Sequence, residues 1–396
     1  MNKVFRLMSL SVIGVFVLAG CFVSAAPTLT AEQHTAVAQT LTAIPTATLP
    51  ATLTPTPAPT ATPTIVPTAV VLGPDAFDEG VNPLTGLKVD NPELLKRRPV
   101  VMKVSNHQID YQPHWGLSSA DIVWEYYIGA GSNRFAALFY GQDSNRIGPV
   151  RSIRRIDGHL GQLYQAVFGS TGGDPYKVLP YLDQYIPYRY FADKYLCPGV
   201  CDDGRGFVYS VFGDSAALSQ YFTNIGVNIE NPDLTGMAFS ESAPEGGEAG
   251  EAVWINFSPI ELSVWNYDAQ SGKYVRSSQD EQTSYILQET LDQNTNEALK
   301  FSNVILIKAD HVQLEETLYN VELIGNTEGR EAVAFRDGKA YELIWKATDP
   351  QKPLQFFDKE GKVFNLKPGN TWMAIVGVST ATEVDGAEFT FNFSLP

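Results

Sequence analysis

From position 27 to position 68 the chain is almost entirely Thr, Pro and Ala, with eight prolines and no Lys, Arg or Asp. Repeated Thr-Pro units bury no core and favour extended polyproline II geometry. Any globular fold therefore has to be built from the residues that follow. A tether of this composition spans on the order of 150 Å when fully extended, at about 3.1 Å per residue.

The residues before the tether carry an address. Lys3 and Arg6 precede a nearly unbroken apolar stretch at 7–19. That stretch is too short for a membrane span of about 20 residues and has the length of a signal-peptide core. It ends in Leu18-Ala19-Gly20-Cys21, which resembles the bacterial lipobox, where the Cys receives a diacylglycerol thioether and becomes the mature N-terminus. An added N-acyl chain such as palmitate would complete the two signals that stable anchoring needs. A plain secretory signal cut near Ala25-Ala26 is the alternative. The expectation is a signal peptide over 1–21 and a disordered tether over 22–73, with the protein outside the cytoplasm and anchored to the cell membrane through Cys21.

The rest of the chain is rich enough in apolar residues, 44% over the full length, to form packed cores. Its net charge of −16 argues against a general nucleic-acid binder, which needs a basic surface. Cys197 and Cys201 flank Pro198-Gly199-Val200, a turn that brings the two thiols together. In an exported protein such a pair is most simply a disulfide; a metal site would need further ligands nearby. No metal and no cofactor are expected.

Coarse patterning divides the folded part. Strands are expected at 100–105, 122–128, 134–140 and 166–169, and a helix over 151–165 from the spacing of Ile153, Ile156, Leu160 and Leu163. Asp174-Pro175 reads as a second helix start. This alternation predicts a mixed α/β N-terminal domain over 74–238. Residues 239–252 are acidic and Gly-rich, hence a flexible loop. Beyond them, short β-type runs at 253–257, 263–267, 302–308, 319–324, 331–336 and 340–346 alternate with turn signals such as Asp337-Gly338. They predict a β-rich, hairpin-containing C-terminal domain over 253–396. The fold class expected is α+β.

Several motifs stand in order along this region: Asn82-Pro-Leu-Thr-Gly-Leu87, Arg97-Arg-Pro-Val100, Gly116-Leu-Ser-Ser-Ala-Asp-Ile122, Arg146-Ile-Gly-Pro-Val-Arg-Ser152 and Pro368-Gly-Asn-Thr-Trp372. Together they resemble the YerB-like lipoproteins, in which two adjoining domains of unknown function follow a lipoprotein signal. The resemblance covers about residues 75–396. The Cys197–Cys201 segment departs from the family pattern, and Gly206-Phe207 stands where relatives often carry a His. The family has no settled activity, so the resemblance implies architecture and location rather than chemistry.

A basic cluster inside an acidic protein is the feature most suggestive of a site: Arg134, Arg146, Arg151, Arg154 and Arg155. Arg151 falls at the expected start of the helix, where the dipole favours anions rather than cations. Its counter-charge is either a bound anion, for which Arg forks are suited, or an internal carboxylate such as Glu125 or Asp121. The turn Ser170-Thr171-Gly172-Gly173 between a strand and a helix could aim N–H groups at the same anion. It lacks the Lys of a nucleotide-binding loop, and a plain strand-to-helix connection is its other reading.

No catalytic residue is singled out. His107, His114 and His159 are scattered, and no Gly-x-Ser-x-Gly motif is present. Asp110, Asp121, Glu125 and Asp143 could include a hydrolytic pair only if folding sets their separation suitably. The expected function is non-enzymatic binding of cell-wall polymer or an envelope protein through the Arg-rich face. A hydrolase acting on an anionic wall glycan is the alternative.

Overall fold

The structure, a computed structural model, describes residues 70–106, 113–191, 196–205, 210–279 and 286–395. Cys21, the Thr/Pro-rich segment, His107, Asp110 and Gly206-Phe207 lie outside the described residues.

The principal strands of the first half are β1 (Val100–Ser105), β2 (Ile122–Gly129), β3 (Ser132–Phe139) and β4 (Val167–Gly169). They are followed by β5 (Ala252–Ser258), β6 (Glu261–Asp268), β7 (Lys273–Ser278), β8 (Asn303–Glu315), β9 (Leu318–Glu322), β10 (Arg330–Arg336) and β11 (Lys339–Lys346). The last are β12 (Gln355–Phe357), β13 (Thr371–Gly377), β14 (Ala381–Asp385) and β15 (Glu388–Asn392). Helices are few and short: α1 (Ile156–Leu163), α2 (Leu179–Leu182) and α3 (Ser215–Asn224).

The larger sheet runs β12-β11-β10-β8-β13-β2-β3-β1-β4, so strands from both halves of the chain share it. The join is β13, parallel to β8 on one side and to β2 on the other. Period-two alternation then makes this sheet the middle layer. Trp372, Ala374 and Val376 of β13 pack in one core, while Met373 and Ile375 pack in the other. The first core is shared with the second sheet, which runs β7-β6-β5-β15-β14, through Val253, Trp265, Tyr274 and Phe389. The second holds Ile156, Leu160 and Leu163 of α1 against Trp124, Ile305 and Ile375.

Strands dominate both halves, so the chain is more β-rich than a mixed α/β first portion implies. The helix expected over 151–165 spans only Ile156–Leu163. Arg151 and Ile153 have backbone groups engaged elsewhere. Arg151 N–H donates to Lys103 O at 2.9 Å, Ile153 N–H to Gly172 O at 2.9 Å, and Thr171 N–H to Arg151 O at 3.2 Å. Strand β8 continues past the expected 308 because β9 folds back on it, pairing Asp310 with Glu322 and His311 with Val321.

The segment expected as a flexible acidic loop is tied to the sheet edge instead. Glu248 and Ala249 pair with Ala340 and Lys339. Gly250 N–H donates to Gly338 O at 2.9 Å, and Tyr341 Oη donates to Pro244 O at 3.1 Å.

Candidate functional site

Strand β1 reads Val-Val-Met-Lys-Val-Ser and is buried throughout, Lys103 included. A lysine at 0% exposure inside an apolar strand demands a partner. Lys103 Nζ lies 3.0 Å from Asp157 Oδ1 and also donates to Tyr126 Oη. Tyr126 Oη in turn donates to the same Asp157 oxygen at 2.6 Å. The second oxygen, Oδ2, accepts the backbone N–H of Arg154 at 2.6 Å. Asp157 stands in the first turn of α1, where a carboxylate also complements the helix dipole. One buried acid thus ties β1, β2 and α1 together.

More cations face this acid. Arg134 on β3 lies opposite Tyr126 of β2 and Ser105 of β1 in the sheet register. Its Nη1 donates to Ser152 O at 2.6 Å. Burial, with Arg154 and Arg151 beside it, holds its guanidinium well below the usual arginine range. Arg154 is lowered by burial, partly countered by Tyr126 and Asp157. Burial pulls Lys103 down to about 8, against the opposing pull of Asp157. Lys103, Arg134, Arg151 and Arg154 therefore form one group of cations. Among the described residues, Asp157 is the carboxylate at its centre, and Asp174 acts on Arg154 from further out.

The group sits where β4 ends beside the last residues of β1, with which it runs parallel, Gly169 pairing with Met102. Such strand ends are where open parallel sheets commonly receive ligands. The turn after β4 supplies Ser170, fully buried, whose hydroxyl has no hydrogen-bond partner among the described residues. Thr171 Oγ1 stands 3.5 Å from Ser152 Oγ. Gly172 has φ +81° and lends its carbonyl to Ile153 N–H. A side chain at Gly173 would come within 2.9 Å of Ile153. Farther on, Asp174 Oδ1 accepts the N–H groups of Tyr176 and Lys177, both at 2.8 Å, and so starts the turn into α2.

The structure brings together Arg134, Arg151, Arg154, Ser170 and Thr171 of the residues singled out in the sequence. The other two arginines are engaged elsewhere. Arg146 pairs with Asp203 at 2.9 Å and lies 3.6 Å over the Phe212 ring. Arg155 lies 3.7 Å over the Tyr181 ring.

The two internal partners considered for Arg151 have other attachments. Asp121 accepts from Asn82 Nδ2 at 3.0 Å and from the N–H groups of Tyr140 and Gly141 at 2.6 and 2.9 Å; burial pushes it up to about 6. Glu125 accepts from Asn133 Nδ2 at 3.1 Å and from Trp372 Nε1 at 2.8 Å, and it faces Arg276 at 3.7 Å. Asp143 accepts from Arg97 at 2.7 Å and Ser215 at 2.6 Å.

Lys103, Tyr126 and Asp157 were not foreseen from the sequence. The signal available was the lysine in the middle of an apolar strand. A second buried cluster of ionisable side chains, Glu125, Arg276 and Glu261, lies between the two sheets. His114 and His159 are both buried and pushed down to about 4, mainly by burial. Cys197 and Cys201 are joined as a disulfide with Cα atoms 4.9 Å apart, inside a turn closed by Leu196–Val200 backbone hydrogen bonds of 2.8 Å each way. Among the described residues no group of three His, Cys, Asp or Glu is placed to hold a metal ion, and no helix is long and apolar enough to cross a membrane.

Residues 84–223 match the family described as "Protein of unknown function (DUF3048) N-terminal domain", and residues 253–373 match the C-terminal domain of the same description. The chain belongs to the YerB-like family that these two adjoining domains define. It is 26% identical over 335 residues to YerB of Bacillus subtilis (strain 168), named as a candidate lipoprotein, covering 80% of this chain and 92% of that one. The fold is similar to the crystal structure of the YerB protein from Bacillus subtilis, with a TM-score of 0.61 at 24% identity, covering 74% of this chain and 96% of that one.

Proposed function

We propose that this chain is an extracytoplasmic lipoprotein, anchored through lipidated Cys21, that binds an anionic group of cell-wall polymer through Arg134, Arg151 and Arg154. The anchor rests on the lipobox-like Leu18-Ala19-Gly20-Cys21 and on the name of the Bacillus relative. The observation that carries the binding reading is the group of four cations around Asp157 at two parallel strand ends, beside the buried Ser170 hydroxyl. Phosphate and carboxylate groups suit such an arrangement, because guanidinium forks match their oxygens and burial strengthens each contact. An acidic segment of an envelope protein could use the same face.

The test compares the detergent-solubilised full-length protein with its Arg151→Gln, Arg154→Gln variant for retention on purified cell walls. Hydrogen bonds to charged groups contribute about 1.5–3 kcal/mol each, so retention should weaken by at least about tenfold with little change in melting temperature. Unchanged retention sinks the proposal. So does a collapse in melting, which would mean that the arginines serve the fold alone. Release of new reducing ends during the incubation would favour the hydrolytic alternative.

A further inference from the structure

Strand β14 is the last strand of the second sheet and pairs with β15 alone. All of its residues are exposed, and its other edge takes part in no backbone hydrogen bond among the described residues. Thr382 and Val384 stand opposite Phe391 and Phe389, whose rings belong to the core between the two sheets. Val384 therefore points inward, yet it is 52% exposed.

A cleft of about 490 Å³ accounts for that exposure, with β14 and β15 as one wall and β8, β10 and β11 as the other. Register sets Glu331 opposite Ile344 and Val333 opposite Glu342, so these four share the face that lines the cleft. Val333 and Ile344 are only partly buried, whereas Phe335 and Ala340, farther along the same face, are buried. The first sheet thus runs on past the point where the second one stops. A strand laid along the free edge of β14 would cover this apolar floor with every other side chain.

Charge narrows the choice of strand. Lys308 is paired with Glu331 at 2.7 Å and Lys359 with Glu342. Glu248 on the rim, with Glu383, Asp385 and Glu388 on the hairpin, has no cation partner among the described residues. Asp385 and Glu388 face each other directly in the last rung of the hairpin, a placement in which like charges repel. Two copies of this chain joined antiparallel through β14 about Glu383 would bring a further like pair together. The acidic hairpin therefore guards its edge against self-pairing and favours a cationic strand.

We propose that the free edge of β14 is a docking site for an extended, cationic segment of a partner protein in which basic and apolar residues alternate. The guest backbone completes the open ladder, which selects an extended chain over a helix, whose backbone groups are already paired. Its inward side chains fill the cleft over Val333, Val384 and Ile344, and its outward ones lie beside Glu383 and Asp385. The site shares no residue with the arginine group of the preceding proposal and stands without it.

The experiment titrates the full-length protein, in dodecyl maltoside, with three fluorescently labelled heptapeptides capped at both ends. One alternates Lys and Val, the second is the same peptide N-methylated at every backbone amide, and the third has Glu in place of Lys. The first should bind at least about tenfold more tightly than either of the others, although the second carries the same charge and side chains. Glu383→Lys, Asp385→Lys, changed only at exposed positions, should reverse the preference between the Lys and Glu peptides. Hydrogen exchange should slow at residues 381–385 when the Lys peptide is bound. No binding of that peptide, equal binding of its N-methylated form, an unaltered preference in the double variant, or protection confined to other residues each overturns the proposal. So does protection of 381–385 by dimerisation in the absence of peptide, which would make the occupant a second copy.

Discussion

Trp372 donates its indole N–H to Glu125 Oε2 at 2.8 Å, across the line where β13 of the C-terminal family domain lies parallel to β2 of the N-terminal one. Both side chains are completely buried. The same indole packs against Phe135 at 4.9 Å and Trp265 at 5.0 Å between ring centroids, so it also joins the two sheets. A single residue late in the chain therefore holds a carboxylate placed 247 residues earlier.

Replacing Trp372 by Phe keeps most of the apolar contact and removes the donor. A lost hydrogen bond to a charged group costs about 1.5–3 kcal/mol. At about 2–4 °C per kcal/mol for a body of this size, scanning calorimetry should show the melting temperature of Trp372→Phe lowered by several degrees. Melting at the wild-type temperature would mean that the contact contributes nothing.

Glu261 should make stability depend on pH in a particular direction. Burial, together with Glu125 nearby, raises its folded pKa well above the ordinary 4.5; Arg276, the Asn133 backbone N–H and the Asn106 side chain, 2.7 Å away, oppose this. Above pH 4.5 the unfolded chain loses this proton while the folded chain keeps it, so stability falls as pH rises from there toward the folded pKa. Glu261→Gln mimics the neutral form at every pH. Urea denaturation should find the variant gaining on wild type at pH 7.5, with that gain absent at pH 4. A constant difference between the two pH values would contradict the burial argument.

For the anchor, Cys21→Ala should move the full-length protein out of the membrane fraction and abolish acyl labelling. Two lipid signals are needed for stable attachment, and the tether has no Lys or Arg to substitute for them. A variant that sediments with membranes as firmly as wild type would refute the assignment.

Local chemistry made much of the β framework legible. The run Val-Val-Met-Lys-Val-Ser predicts 100–105 and the structure has Val100–Ser105. The Asp337-Gly338 signal predicts a hairpin, and β10 and β11 flank it with Arg336 opposite Lys339. The pairing of β13 with β2 and β8 was not legible, because parallel neighbours far apart in sequence share no turn that announces them. The helix start was misplaced because periodicity records which side chains face the core. It does not record that the N–H groups of Arg151 and Ile153 are taken by Lys103 and Gly172.

The candidate site was legible in its arginines and opaque in its centre. Arg134, Arg151 and Arg154 stand out in an acidic chain by charge alone. Asp157 looks like any helix-start acid until folding sets it against Lys103 and Tyr126, respectively 54 and 31 residues away.

The place of β13 between β8 and β2 has a consequence for the birth of the molecule. Synthesis delivers residues 122–129 some 240 residues ahead of residues 371–377, an interval on the order of tens of seconds at ordinary elongation rates. Throughout it, the β2 edge is an unfilled template, able to accept a foreign strand as readily as its own. The N-terminal half therefore has to be shielded or kept unfolded until nearly the whole chain exists. A truncation that stops short of Thr371 would leave that edge open permanently.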